Sequence, residues 1–365
     1  MTDTKKIDVD VNQFPGLTWN FLKINKTHLT AENLTDADFS VNIPDEKIYL
    51  KEEEFVSLPQ EIKNIETGLG KFFDNVFDSF CTNNSKSVVF KIPANYSEKN
   101  AVKIDLNLNQ NENKAKDFVI IAEENSFSNF IFSFDSDENA LGALGIRIRV
   151  LVKDNAKLNL NVINLAKGKI LNFVSIGSLL KENSLVNLNE IHLGGKNVYL
   201  GNRQELSGYK SAFNGHTVYF ADKNSTFDIN YVANQTGRES QSFMLADGIC
   251  EDNAAKTWRG TINFIKGCVE SKGDEQENVL LLSPKVVNKT LPVILCDEEA
   301  VEGRHGATIG KLDSNILFYM QSRGVKQKEV QRLMIIAKIK SVCRLINDEI
   351  TVEKIDEYLN KNFGE

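Results

Sequence analysis

A short phrase recurs along a run of alternating apolar and polar segments, and this repeat restricts the fold more than any other feature of the sequence. Asn stands before a small residue in "AEENSFSNF", "VKDNAKLNL", "LKENSLVNL", "ADKNSTFDI" and "CEDNAAKTW", each of which leads into a segment of period two. The asparagines are separated by 30, 28, 41 and 29 residues: Asn125, Asn155, Asn183, Asn224 and Asn253. Asn tolerates left-handed backbone and bonds to the local main chain, so the phrase is typical of a repeated corner.

A corner that returns at nearly constant spacing predicts a solenoid, and alternation of period two makes its turns strands. Segments such as "VKIDLNLN", "IRIRVLV" and "AKLNLNVINL" carry this alternation through residues 86–304. A β-sandwich would place turns about every 8–12 residues with less self-similarity. We therefore predict a mainly β chain with a right-handed parallel β-helix core at residues 86–304, although the 41-residue interval breaks the period.

The segments on either side of this block differ from it. Residues 1–85 are expected to form a mixed, mostly helical domain in which Trp19 is a packing anchor. Residues 305–365 show helical spacing, with Asp313 or Ser314 as an N-cap, and are expected to form a helical domain that caps the β block.

Composition excludes several classes of function. The net charge is −7 and the basic residues are dispersed, which disfavours a nucleic-acid partner. An apolar run of the roughly 18 residues that a membrane span needs is absent, as is a signal-peptide core, so we expect a cytoplasmic protein with no membrane partner. Five separated cysteines without a CxxC argue against disulfides and a zinc site.

His305 lies in "GRHGATIG", between the alternating block and the helical tail. The flanking glycines predict a joint in which the backbone turns and the imidazole is uncrowded. The residues alone favour a histidine that bonds a backbone carbonyl. Imidazole is also a ligand for iron, and that alternative stays open at this point.

Four segments resemble one known family. They are "SKSVVFKIPAN", "KTWRGTINF", "VLLLSPKVVNKTLPVIL" and, most specifically, "HGATIGKLDSNILFYMQSRGV". Together they are similar to the SufB/SufD family of iron–sulfur cluster assembly proteins, and most to its D-type members. The resemblance implies a parallel β-helix between helical terminal domains.

The resemblance also implies a function. The chain would be a non-catalytic scaffold subunit that pairs with a SufB-type homologue, or with itself as a homodimer when alone. A SufC-type ABC ATPase would dock on the tail at Phe318, Tyr319, Arg323 and Gly324. His305 would contribute to a transient iron–sulfur cluster site shared with the partner subunit, with Cys296, nine residues earlier, as a second candidate ligand.

The sequence departs from the family pattern at two places. The B-type sulfur-acceptor cysteine has no counterpart in "DEQENVLLLS", which indicates the D-type. Many D-type members carry a cysteine two residues before the histidine, where this chain has Gly303.

Two alternative functions remain at this point. A β-helix can host a carbohydrate-active enzyme, and the polar segment "NVYLGNRQELSGYK" keeps a lyase open even though no carboxylate cluster with Lys or Arg is visible. A structural adaptor without a metal role would differ from the scaffold only at His305.

Overall fold

The structure is a computed structural model that describes residues 5–16, 20–109 and 111–363. Trp19, the expected packing anchor, lies outside these residues. Within them the chain winds as a flattened solenoid, in which each turn gives one strand to each of two sheets. The predicted parallel β-helix is confirmed.

The first sheet is parallel from its second strand onward and follows the order of the chain. Successive strands from the third onward begin 26 to 32 residues apart. Its strands are β5 (Tyr49–Glu53), β6 (Ser87–Ile92), β8 (Asn113–Ala122), β10 (Ala143–Val152), β12 (Leu171–Leu180), β14 (Asn197–Leu206), β16 (Thr226–Gln235), β18 (Ala255–Phe264) and β20 (Val287–Cys296), with β3 (Thr35–Asp36) beside β8.

The second sheet lies opposite the first and is also parallel apart from its first pair. Its strands are β4 (Ser40–Asn42), β7 (Ser97–Leu108), β9 (Phe127–Ser136), β11 (Lys157–Asn164), β13 (Leu185–His192), β15 (Ala212–Ala221), β17 (Gln241–Cys250), β19 (Lys272–Leu281) and β21 (Glu302–Gly310). Side chains that point inward from both sheets fill the lumen. In the early turns these are apolar, and Phe90, Phe118, Phe130 and Phe132 pack edge to face.

The corner asparagines belong to two edges of the solenoid. Asn125, Asn155 and Asn183 have φ between 52° and 60° and lead from the first sheet into the second. Asn224 and Asn253 lead from the second sheet back into the first. The predicted break of 41 residues is therefore a step from one edge to the other, and the winding is continuous.

At the second edge the left-handed residue differs from the one expected. Lys223 and Asp252, one position earlier, have φ of 53° and 56°. In the turn at the second edge, the left-handed residue is the first of the two turn residues. In the turn at Asn125 it is the second. Asn224 and Asn253 lie in corners as predicted, but the left-handed residue of each corner is the one before them.

The N-terminal segment combines strands and helices on the outside of the first sheet. Its remaining elements are β1 (Ile7–Val11), β2 (Thr27–Ala31), α1 (Gln60–Lys63), α2 (Lys71–Asn84) and two 3-10 turns, Asn20–Leu22 and Phe55–Ser57. α2 buries Phe73 and Phe77 against Phe173 of β12. The centres of their rings lie 5.7 and 6.1 Å, respectively, from the centre of the Phe173 ring. Burial of each such side chain contributes roughly 1.5–3 kcal/mol.

Three helices follow the solenoid: α3 (Ser314–Ser322), α4 (Gln327–Cys343) and α5 (Glu349–Phe363). α4 and α5 pack on the outer face of the second sheet, where Ile335, Ile339 and Leu359 join one apolar cluster with Ile191 and Val218. The expectation that the tail caps the β block is wrong. The apolar side chains of α4 and α5 pack instead on the apolar outer face of the middle strands of the second sheet. None of the described helices is long and apolar enough to cross a membrane.

Candidate functional site

The last strand of each sheet, β20 and β21, forms an open end of the solenoid. Each pairs with a neighbour on one side only within the described chain. β21 is exposed or half-buried throughout, and Val287 and Ile309 expose apolar surface there. This open end therefore combines free strand edges with uncovered lumen side chains.

His305 lies in the middle of β21, in register with Glu275 of β19. A Cβ added at Gly303 would lie 3.0 Å from Ile294 and Phe264, so residues 303, 305 and 307 face the lumen side. His305 is nevertheless exposed, because no described turn covers it. The predicted joint at residues 303–310 is a strand, since its backbone completes the ladder to β19.

Glu275 lies one strand below His305 and is fully buried. Neither of its carboxyl oxygens has a hydrogen-bond partner among the described residues. Burial raises the pKa of Glu275 to about 9, and the nearby charge of Glu277 adds to the shift. A Cβ at Gly260 would come within 2.2 Å of Glu275 Oε1, so the carboxyl occupies space that only a glycine leaves open.

Glu277 is the neighbouring buried carboxylate, and it is fully engaged. Lys256 Nζ donates to both of its oxygens at 2.7 and 2.8 Å, and the hydroxyls of Tyr219 and Thr290 donate at 2.7 and 2.6 Å. Burial lowers the pKa of Lys256 even though Glu277 opposes the shift. The buried Lys256 ammonium is thus committed to Glu277, and no described residue supplies Glu275 with a counter-ion.

Cys296 ends β20 and is the exposed cysteine among five, since Cys81, Cys250, Cys268 and Cys343 are buried. Its thiol donates to the carbonyl of Glu298 at 3.0 Å. Cys296 and Gly303 line the same surface cavity. The only exposed thiol therefore lies beside the position where many D-type sequences carry a cysteine.

α3 carries the tail residues that the resemblance singled out. Asp313 caps it by accepting from the backbone N–H of Asn315 at 2.7 Å, and Gly324 ends it at φ 88°. Phe318 and Tyr319 are 74% and 57% exposed, and neither packs against the β block. The guanidinium of Arg323 lies 5.4 Å from the centre of the Tyr319 ring.

The polar segment that kept a lyase open is engaged in contacts within the chain. Arg203 Nε donates to Glu205 at 2.8 Å, and Arg203 Nη1 lies 3.6 Å from Glu66 Oε1 of the N-terminal segment. Asn234 donates to the same carboxylate at 2.6 Å. These residues join neighbouring turns to each other and to the N-terminal segment.

Sequence reasoning placed His305 and Cys296 as candidates and missed Glu275. The signal was present, because Glu275 alternates in phase with Val279 and Leu281 and so must face the lumen. Among the residues that the structure describes, no group of three or more His, Cys, Asp or Glu side chains is placed to hold a metal ion. A metal at the open end would have at most two such side-chain ligands from the described residues, and its other ligands would be solvent or groups of a partner.

The fold and its open end define a two-sheet parallel β-solenoid whose candidate ligands lie at an exposed terminal turn. The family model for "SUF system FeS cluster assembly, SufBD core domain" matches residues 106–338, from β7 into α4. The chain belongs to this family of iron–sulfur cluster assembly proteins.

Curated relatives agree with this assignment. The chain is 23% identical over 243 residues to the iron–sulfur cluster assembly protein SufD of Bacillus subtilis, covering 66% of this chain and 55% of the relative. It is 24% identical over 226 residues to SufD of Escherichia coli, covering 62% and 53%. The chain spans about half the length of these relatives.

Proposed function

We propose that this chain is a non-catalytic, cytoplasmic D-type scaffold subunit of a Suf-type iron–sulfur assembly complex. The observation that carries the proposal is the open end, where two unpaired strand edges and the exposed His305 occur together. The iron–sulfur cluster is cargo in this proposal and is built at the interface with a partner subunit.

The open end suits pairing with a SufB-type homologue. Unpaired N–H and C=O groups at a sheet edge bind another strand, and exposed apolar side chains add buried area when the strands meet. Val287 and Ile309 are 51% and 49% exposed at this end. A second copy of this chain presents the same edges, which accounts for a homodimer when the SufB-type homologue is absent.

α3 suits docking of a SufC-type ABC ATPase. Exposed aromatic side chains with an adjacent arginine are the composition of an interface hot spot. Phe318, Tyr319 and Arg323 provide this on a short helix that buries none of its residues against the solenoid. The outer face of the second sheet is already covered by α4 and α5.

His305 suits a ligand role because the fold gives it no other. It projects from the terminal strand on the lumen face and remains exposed, and imidazole is a ligand for iron in thiolate-poor sites. Cys296 at the same end is the accompanying thiol of this chain.

The test is His305→Ala in the complex assembled with a SufB-type homologue and a SufC-type ATPase. We expect intact complex by size-exclusion chromatography and a depressed rate of cluster formation, with partial recovery in His305→Cys. Thr308→Ala, on the opposite face of β21, is the matched control and should leave both unchanged. A His305→Ala complex that falls apart, while the remaining complex builds clusters at the normal rate, would make the histidine structural.

A further inference from the structure

Glu275 differs from the other buried polar side chains of the described residues, because two of its atoms lack a hydrogen-bond partner whereas the others lack a partner at one atom at most. A buried carboxyl without a hydrogen bond costs free energy, and natural structures keep such groups chiefly where another component completes them. Glu275 is 0% exposed, and both of its oxygens lack a partner. The carboxyl packs over Gly260, where an added Cβ would lie 2.2 Å from its Oε1.

A divalent cation would satisfy both oxygens of Glu275 and would favour the ionised carboxyl that burial disfavours. Lys256, the buried ammonium nearby, is held by both oxygens of Glu277 at 2.7 and 2.8 Å. Arg304 lies on the opposite face of β21, where its Nε is 3.7 Å from Asp274. No ion pair among the described residues includes Glu275, so a counter-ion would come from solution or from another chain.

Glu275 and His305 are register partners on adjacent parallel strands. Side chains at such positions point to the same face, with strands about 4.8 Å apart, a separation that one metal ion bridges. The edge of His305 away from Glu275 is open within the described chain. Glu275 is therefore the neighbouring lumen-facing side chain one strand further in from His305.

We infer that Glu275 is a second ligand of this chain at the open end, and that Glu275 and His305 together hold one divalent iron ion. Imidazole with carboxylate is a ligand pair suited to ferrous iron, whereas a cluster favours thiolates. The inference rests on the proposed function and adds to it a residue that binds the metal before sulfide is present.

The experiment uses the full chain without partners and Co(II) as a spectroscopic probe for ferrous iron. We expect one Co(II) per chain, seen as visible d–d absorption and as a rise in melting temperature. Glu275→Gln and His305→Ala should each weaken Co(II) binding at least tenfold. Asp274→Asn is the matched control, because it removes a carboxylate from the outer face of the same strand, and it should bind Co(II) as the parent does.

The outcomes separate this inference from the proposed function. Co(II) binding that survives Glu275→Gln, or a parent chain that binds no Co(II), overturns the role of Glu275. The scaffold function is judged independently, by cluster formation on the His305→Ala complex. Circular dichroism of Glu275→Gln shows whether the solenoid is intact, and an intact solenoid with parent-like binding is decisive against the inference.

Discussion

Arg147 and Asp117 are register partners on consecutive turns of the first sheet, and Arg147 Nε donates to Asp117 Oδ1 at 2.7 Å with both side chains fully buried. Asp78 of α2 accepts from the same guanidinium, and the ring of Phe77 lies 4.7 Å from it. The arginine thus joins two turns of the solenoid to the N-terminal helix through one buried charge.

Removing one partner of this pair should be costly. Asp117→Ala leaves the buried guanidinium with fewer counter-charges, and we expect a loss of about 3–5 kcal/mol in the free energy of unfolding, measured with urea. Lys361→Ala breaks the exposed pair with Glu138 and should change stability far less than Asp117→Ala does. Similar losses in the two variants would contradict the view that the buried Arg147–Asp117 pair stabilises the fold more than an exposed pair does.

Sequence reasoning found the solenoid because its two signals are local. Alternation reports which side chains face the lumen, and Asn125, Asn155 and Asn183 mark turns that need left-handed backbone. Sequence reasoning did not distinguish the two edges of the solenoid, because the same Asn-containing phrase occurs at both edges. It also took the glycines around His305 as a joint, although only pairing with β19 decides that this segment is a strand.

The two edges predict different responses to the same substitution. Asn155 has φ 60°, so Asn155→Ala should cost about 1 kcal/mol from the strain of an alanine in that region, and Asn155→Gly should cost less. Asn224→Ala is the matched control and should be nearly neutral, because the left-handed residue there is Lys223. Thermal unfolding of the three variants checks this, and an equal cost for Asn155→Ala and Asn224→Ala would argue against it.

Docking of the ATPase should depend on α3 alone among the tail helices. Phe318→Ala with Tyr319→Ala removes the exposed rings, and we expect at least tenfold weaker binding of a SufC-type ATPase by calorimetry, with unchanged melting temperature. Ile350→Ala removes a side chain that is 68% exposed on α5 and serves as the control. If the double variant binds the ATPase as tightly as the parent chain does, the docking surface lies elsewhere on the chain.

The isolated chain should not retain an iron–sulfur cluster. Its ligands at the open end are few, with His305 and Cys296 exposed and Glu275 buried, and a cluster needs more thiolate than one cysteine supplies. After anaerobic reconstitution and gel filtration, iron and sulfide should be well below one cluster per chain and should increase when a SufB-type homologue is present. A stoichiometric, stable cluster on the chain alone would rule out a shared site.

The stability of the isolated chain should fall as pH rises, and Glu275 should account for part of the slope. Its pKa is raised from 4.5 to about 9, so between these values the folded chain holds a proton that the unfolded chain has released. Rising pH therefore favours unfolding, by at most roughly 1.4 kcal/mol per pH unit from one group. Urea unfolding from pH 5 to 9 should show a smaller loss of stability in Glu275→Gln than in the parent. If stability depends on pH equally in Glu275→Gln and in the parent, the Glu275 carboxyl has a hydrogen-bond partner or a water in the folded chain. Glu275 would then not be an unsatisfied group.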